Sequence, residues 1–454
     1  MNRRRFLGGA SAGAALALAG CPATRDESSS DDVRPSEDTY VSDEGPVSRA
    51  DFDREVNARD AGADSGGETP IDDLLSDHAR SDRDELLVFP EGRYRLGSLS
   101  LEDAGRFGMV AADGATPTLV PDGPTDELGP ALLQVIDAEA FVLDGFALDF
   151  RRQGYGGKLH VTTSGNLAVR NVGVRGRYPA DASGFHLAVE SEDATGLVEN
   201  VSAPGGGPKG GKSIGAFVDR RHAGELTFRN CFFQNFPNNG LYASAPGGDG
   251  SLRGFGGVVR VLGGLYRNNN IANVRLGGRG AVARGVTIVV DEVPPYNELN
   301  ARGLLFRNGG DHRVENCRIV LGEDAGDSLG AVVFNPDAGR VSIRDSNVEL
   351  DRDEVPAVYA PRPSGKAPAE TGPVFENVSI RGTAGGGRTV DVTGRDRTQL
   401  RNCRVVQSGD NRAGVRFARS DRCLLARTTI DVTGTPILNS RSSVNRRDVN
   451  VVGA

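Results

Sequence analysis

Residues 314–319 read VENCRI and residues 375–380 read FENVSI, and the same short phrase recurs along the chain. An apolar residue stands two before a turn residue, and further apolar residues stand one and three after it. The inward set is Val314, Cys317 and Ile319 around Asn316, Phe375, Val378 and Ile380 around Asn377, and Val169, Val172 and Val174 around Asn171. The copies centre on Gly145, Asn171, Asn200, Asn230, Gly263, Gly285, Asn316, Asp345, Asn377, Asn402 and Arg427. Their spacing of about 28 residues lies in the range of repeat architectures.

Apolar positions alternate with a period of two on each side of a single-residue phase break, as in a strand that bends once and continues. Asn, Gly and Asp tolerate the left-handed backbone such a bend needs, whereas Arg427 fits poorly. The inward residues are of strand type, and the 3.6-residue period of an α-solenoid is missing. The reading is all-β: a right-handed parallel β-helix of about 11–13 coils, a rod roughly 50 Å long at ~4.8 Å per coil. Arg170, Glu315, Arg318, Glu376 and Ser379 fill the gaps and are expected to face outward, to solvent.

A solenoid lengthens without needing a second core, so 454 residues need not mean several domains. The 62 glycines and 6% aromatics suit short strands and many turns, and the absence of Trp removes a common sugar-stacking side chain. Net charge is −8, which argues against a nucleic-acid partner. The cations are 49 Arg and only 4 Lys, a composition that resembles proteins of salt-adapted, GC-rich organisms such as haloarchaea.

Residues 1–21, MNRRRFLGGASAGAALALAGC, combine a basic start, an apolar stretch too short to span a bilayer, and a small-residue end. Arg3, Arg4, Phe6 and Leu7 resemble a twin-arginine export signal, and Leu18 to Cys21 resemble a lipobox. The expectation is export in folded form, lipidation at Cys21, and residence on the outer face of the cytoplasmic membrane or the cell surface. Residues 22–50 have the composition of a disordered acidic tether, which leaves residues 51–454 for the β-helix.

Cys231, Cys317 and Cys403 each follow the turn Asn and lie 86 residues apart. Three coils between them means ~14 Å, too far for a disulfide. Cys423 is out of phase with Cys403, so all four are expected as buried free thiols. No CxxC pair and no HExxH helix argues for zinc. The sequence calls for no cofactor, with calcium left open.

From Val56 to Leu101 the chain resembles the opening of pectate lyase superfamily domains. The matching residues are Ala61, Gly62 and Ala63, a helix around Ile71 to Ala79, and Phe89, Pro90, Gly92 and Tyr94. The likeness covers about residues 52–120 and implies that the short helix caps the end of a parallel β-helix. It says little about chemistry. Of the hydrolase motifs NTD, DD, GHG and RIK only DD occurs, at Asp31-Asp32 and Asp72-Asp73 in the tether and cap, and the WxDH and RxPxxR lyase motifs are absent. Other lyases, epimerases and glycan depolymerases on this fold stay open.

Gly206 to Ser213 reads GGPKGGKS and satisfies the phosphate-loop pattern, but strands rather than a helix are expected to follow it, so no nucleotide is expected. NVS at Asn200 and Asn377 matches a glycosylation acceptor, yet both Asn are turn anchors. The histidines sit at unrelated offsets; His222, beside Asp219, Arg220 and Arg221, is the best substrate-binding candidate among them.

The repeat itself points to a site. Twelve residues after Asn200, Asn230 and Gly263 stand Lys212, Tyr242 and Arg275, a prospective stacked column of cation, phenol and cation. Asn239, Asn268, Asn269, Asn270 and Asn273 add amides for sugar hydroxyls, and Tyr242 or Lys212 is the candidate proton acceptor. Two function classes follow: a surface enzyme that binds and cuts or epimerises an extracellular acidic polysaccharide, or a non-catalytic glycan-binding or adhesive rod.

Overall fold

A computed structural model describes residues 45–247 and 256–452. The export signal, Cys21 and the tether up to residue 44 lie outside the described residues. The chain winds through three parallel sheets of fifteen, thirteen and fourteen strands, and forms a right-handed parallel β-helix. One coil shows the plan. Lys158–Thr163 lies in the sheet here called sheet 3, Leu167–Arg170 in sheet 1, and Gly173–Gly176 in sheet 2, before Phe185–Val189 returns to sheet 3.

All eleven turn residues read from the repeat have positive φ, from 48° at Arg427 to 83° at Gly145. A twelfth such turn occurs at Asp448, with φ 52°. The first two coils cross from sheet 1 to sheet 2 through wider turns, after Asp84–Phe89 and Arg106–Ala111, so the repeated phrase misses them. The turn amides form ladders: Asn200 Nδ2 donates to Asn171 Oδ1 at 3.0 Å, and Asn402 Nδ2 to Asn377 Oδ1 at 2.7 Å. That employs both NVS asparagines in the fold.

The inward assignments hold, with Val169, Val172, Val314 and Ile319 fully buried in one continuous column. Arg170 departs from expectation. It points away from the core but is buried against Asp144 at 2.9 Å, because the chain from Gly45 to Phe52 packs over the outer face of sheet 1. Val47 is 1% exposed, and Asn166 Nδ2 donates to the Pro46 carbonyl. The folded body therefore begins before residue 51.

The helix Asp72–His78 packs Leu75 and the adjoining Ile71 onto the first coil, beside Leu87, Phe89 and Tyr94. Tyr94 Oη donates to the Pro90 carbonyl at 2.9 Å, and a Cβ at Gly92 would meet Ser65 at 2.7 Å. Those contacts account for the PEGRY segment. The four described cysteines are buried free thiols, and burial pushes Cys231 up to about 12, far from thiolate reactivity. Gly206 to Ser213 runs through turns into the strand Ala216–Val218, so no helix N-terminus faces a phosphate.

Candidate functional site

Side chains alternate in and out along each strand of sheet 3, and parallel register stacks the outward ones along the rod. In successive coils His160, His186, Phe217, Tyr242 and Arg275 are in direct register. The His160 and His186 rings stack at 4.1 Å, His186 meets Phe217 edge-on at 4.6 Å, and Phe217 meets Tyr242 at 4.9 Å. The Arg275 guanidinium caps this row at 3.8 Å over the Tyr242 ring, its Nε donating to Ser244 Oγ at 2.7 Å. Four rings and a cation make a half-buried strip on the outside of the rod.

Beside the strip the strand ends converge charges. His186 Nε2 lies 2.7 Å from Asp219 Oδ2, while Asp219 Oδ1 accepts the Arg221 amide at 2.8 Å. The Arg221 side chain spans three coils: Nη1 donates to Asp137 Oδ1 at 3.3 Å, Nη2 to Thr162 Oγ1 at 3.2 Å, and Nε sits 3.2 Å from Glu190 Oε1. The turn from Val218 through Asp219 to His222 places these groups, closed by the His222 amide donating to the Asp219 carbonyl.

The environments differ. Burial alone would raise Asp219, but the hydrogen bonds from His186 and the Arg221 amide outweigh it and hold the carboxyl at about 2. Glu190 is raised, because burial outweighs Arg221. Burial, then His186 and Lys158, push His160 down to about 3, so it is neutral at ordinary pH. Lys158 is lowered by burial, and Arg275 is brought down to about 10 by burial, still a cation at neutral pH. Opposed proton affinities on neighbouring carboxyls are what acid–base chemistry uses.

Of the expected column, Tyr242 and Arg275 stack as read. Lys212 does not join them. It is exposed in the loop before Ala216, and Phe217 takes its place, because the Gly-rich insertion lengthens that coil. The asparagines are not on the surface either. Asn239, Asn268, Asn269, Asn270 and Asn273 are at most 1% exposed. Asn269 Oδ1 accepts the Phe236 amide and its Nδ2 donates to the Phe233 carbonyl; Asn270 donates to the Pro237 and Glu298 carbonyls. They support the corner into sheet 3, where backbone groups lack ladder partners. His222 is likewise buried: Nδ1 accepts the Val189 amide at 3.4 Å and Nε2 donates to the Val258 carbonyl at 3.1 Å, pinning adjacent coils.

The residues that sequence reasoning missed are His160, His186, Phe217 and Glu190, with Asp219 and Arg221 noted only as neighbours of His222. His160 precedes Asn171 by eleven residues and His186 precedes Asn200 by fourteen, so offsets from the turn hide their register. The loop between sheets 3 and 1 varies in length. Counting from strand to strand within sheet 3 would have aligned them.

No family model matches the chain, and no curated protein does. Among solved structures, the Agl-KA catalytic domain is similar over 88% of this chain and 68% of its own, at 13% identity and a TM-score of 0.50. The surface adhesin PfbA of Streptococcus pneumoniae is similar over 87% and 93%, at 12% identity and a TM-score of 0.44. An exopolygalacturonase of Yersinia enterocolitica aligns over 88% and 78%, at 14% identity and a TM-score of 0.34. At these identities the likeness shows the fold alone, a parallel β-helix.

Proposed function

We propose that this chain is an exported, lipid-anchored surface protein that binds a polysaccharide along the outer face of sheet 3 and cleaves it there. The observation that carries the reading is the row His160, His186, Phe217 and Tyr242, half-buried rings that run along the rod beneath successive sugar units. Arg275 at its end is a cation for a carboxylate or sulfate, so an acidic glycan suits the strip. Glu190, raised by burial, is placed to donate a proton to a departing glycosidic oxygen, and Asp219 stays ionised beside it.

A second reading, binding without cleavage, is favoured by one feature: Arg221 lies against Asp137, Glu190 and Asp219 together, which ties up the carboxylates. Incubating the protein with neutral and acidic polysaccharides decides between them. Cleavage releases reducing ends, with ultraviolet-absorbing unsaturated ends if the route is elimination; an adhesive rod binds and releases neither. Glu190→Gln should lower turnover about 10²–10⁴-fold with binding retained, and Phe217→Ala should weaken binding. A Phe217→Ala protein that binds as tightly as wild type on a glycan the wild type holds refutes the strip as the recognition surface. Recovery of Cys21→Ser from the membrane fraction refutes the anchor.

A further inference from the structure

The rows of sheet 3 bring together a donor set that no local motif encodes. His160, His186 and Asp219 come from three successive coils, and one ligating atom of each lies within 4.8 Å of the other two. We propose that these three residues form a binding site for a borderline divalent transition metal, of which Zn2+ is the type.

Three features of the geometry point there. Gln134 Oε1 can only accept a hydrogen bond, so its 3.4 Å contact with His160 Nδ1 puts the proton on that nitrogen and leaves the lone pair on Nε2. A metal-bound imidazole takes the same arrangement when its other ring nitrogen donates to a carbonyl. Next, His160 Nε2 is buried and has no hydrogen-bond partner, a lone pair enclosed by the fold. Finally, the two imidazoles lie side by side at 4.1 Å, with His186 Nε2 already directed at Asp219 Oδ2. A metal ion replaces the proton shared by that pair; with ring planes only 22° apart, the imidazoles turn as well as close by about 1–1.5 Å so that their in-plane lone pairs meet one ion at ~2.0–2.2 Å.

The donors also define which ion. Two imidazole nitrogens and one carboxylate suit Zn2+, Ni2+, Co2+ or Cu2+ and are wrong for Ca2+, which takes six to eight oxygens. Asp219 supplies the one anionic donor of the three, and Asp137 stands across Arg221 from it. Three protein ligands leave a fourth position open, as in a catalytic rather than a structural site.

The site is tested on the whole chain made without a histidine tag and stripped with chelator, so the result does not depend on the glycan reading. Calorimetric titration with ZnCl2 at neutral pH should show one saturable site per chain, and titration with CaCl2 none at these residues. Co2+ should give a visible absorption band that Zn2+ removes. His160→Gln, His186→Gln and Asp219→Asn should each weaken Zn2+ binding about 10–100-fold or abolish it, while circular dichroism and metal-free melting stay near wild type. Tyr242→Phe, further along the same strip, should bind Zn2+ as wild type does. The absence of saturable Zn2+ binding by wild type overturns the proposal, and so does unchanged affinity in both histidine variants. A histidine variant that fails to fold leaves the Co2+ spectrum of wild type as the deciding measurement: a band without nitrogen-ligand character refutes the site.

Discussion

Replacing Arg170 by Met tests how the covering segment changes the energetics of an outward position. Arg170 and Asp144 are 2% and 1% exposed at the side chain, 2.9 Å apart. Loss of the guanidinium strands a carboxylate in a dry site, at a cost of about 3–5 kcal/mol. The sign with pH follows from Asp144, which burial already raises above the usual carboxylate range against the pull of Arg170 and Asn171. A raised folded-state value means the contribution to stability is complete below the unfolded pKa of about 4 and is lost as pH rises through the folded value. Without Arg170 the folded value climbs further, so the deficit relative to wild type is smallest in acid and widens toward neutrality. Adding Asp144→Asn removes the charge and keeps an acceptor for Asn171 Nδ2, now 2.8 Å from Asp144 Oδ1, and should restore most of the loss. A solenoid opens coil by coil, so amide hydrogen exchange across residues 140–174 is the suitable assay. Protection there should fall about 10²–10⁴-fold in Arg170→Met, at 1.4 kcal/mol per tenfold. Exchange within twofold of wild type, or no recovery in the double variant, refutes the reasoning.

Ile319→Asp should cost several kcal/mol by placing a carboxylate in the core column, while Arg318→Asp, one residue out of phase and half exposed beside Glu349, should cost about 1 kcal/mol or less; equal melting temperatures would disprove the phase. Arg395 is fully buried and donates to the carbonyls of Asn335, Ala338, Pro361 and Thr371, so Arg395→Met should cost at least about 4 kcal/mol and open residues 361–373 to proteolysis. Arg427 holds φ 48° in the turn row next to Asn402, and Arg427→Asn should raise stability by about 0.5–1 kcal/mol by relieving a disfavoured backbone and extending the amide ladder. A lower melting temperature in Arg427→Asn would contradict that account.

The repeat made the fold legible because every coil obeys the same two local rules. A strand buries alternate side chains, and a one-residue bend needs a left-handed backbone. Both leave a mark that can be counted, and even Arg427, the poorest match, sits at positive φ as its position required. Cysteine spacing worked for the same reason: Cys231, Cys317 and Cys403 occupy equivalent positions three coils apart, since the turn from sheet 1 to sheet 2 keeps a constant length. Tyr242 and Arg275 were legible because the path from turn to strand happens to be equally long in those two coils.

Where loops vary, sequence distance stops measuring spatial distance. Lys212 falls out of the column through a Gly-rich insertion, and His160 and His186 fall into it although their offsets from the turn differ. Polarity also misled at the corner: the amides Asn268 to Asn270 read as surface groups, but a tight corner leaves backbone donors and acceptors without ladder partners, and buried amide side chains supply them. Arg170 shows the converse, an outward position that a distant segment covers. The sequence by itself therefore determined the coil, its inward face and its turns, which are set by neighbours within a few residues. Only the tertiary structure decided which outward side chains meet, because that depends on loop lengths summed over whole coils and on what the chain lays across them.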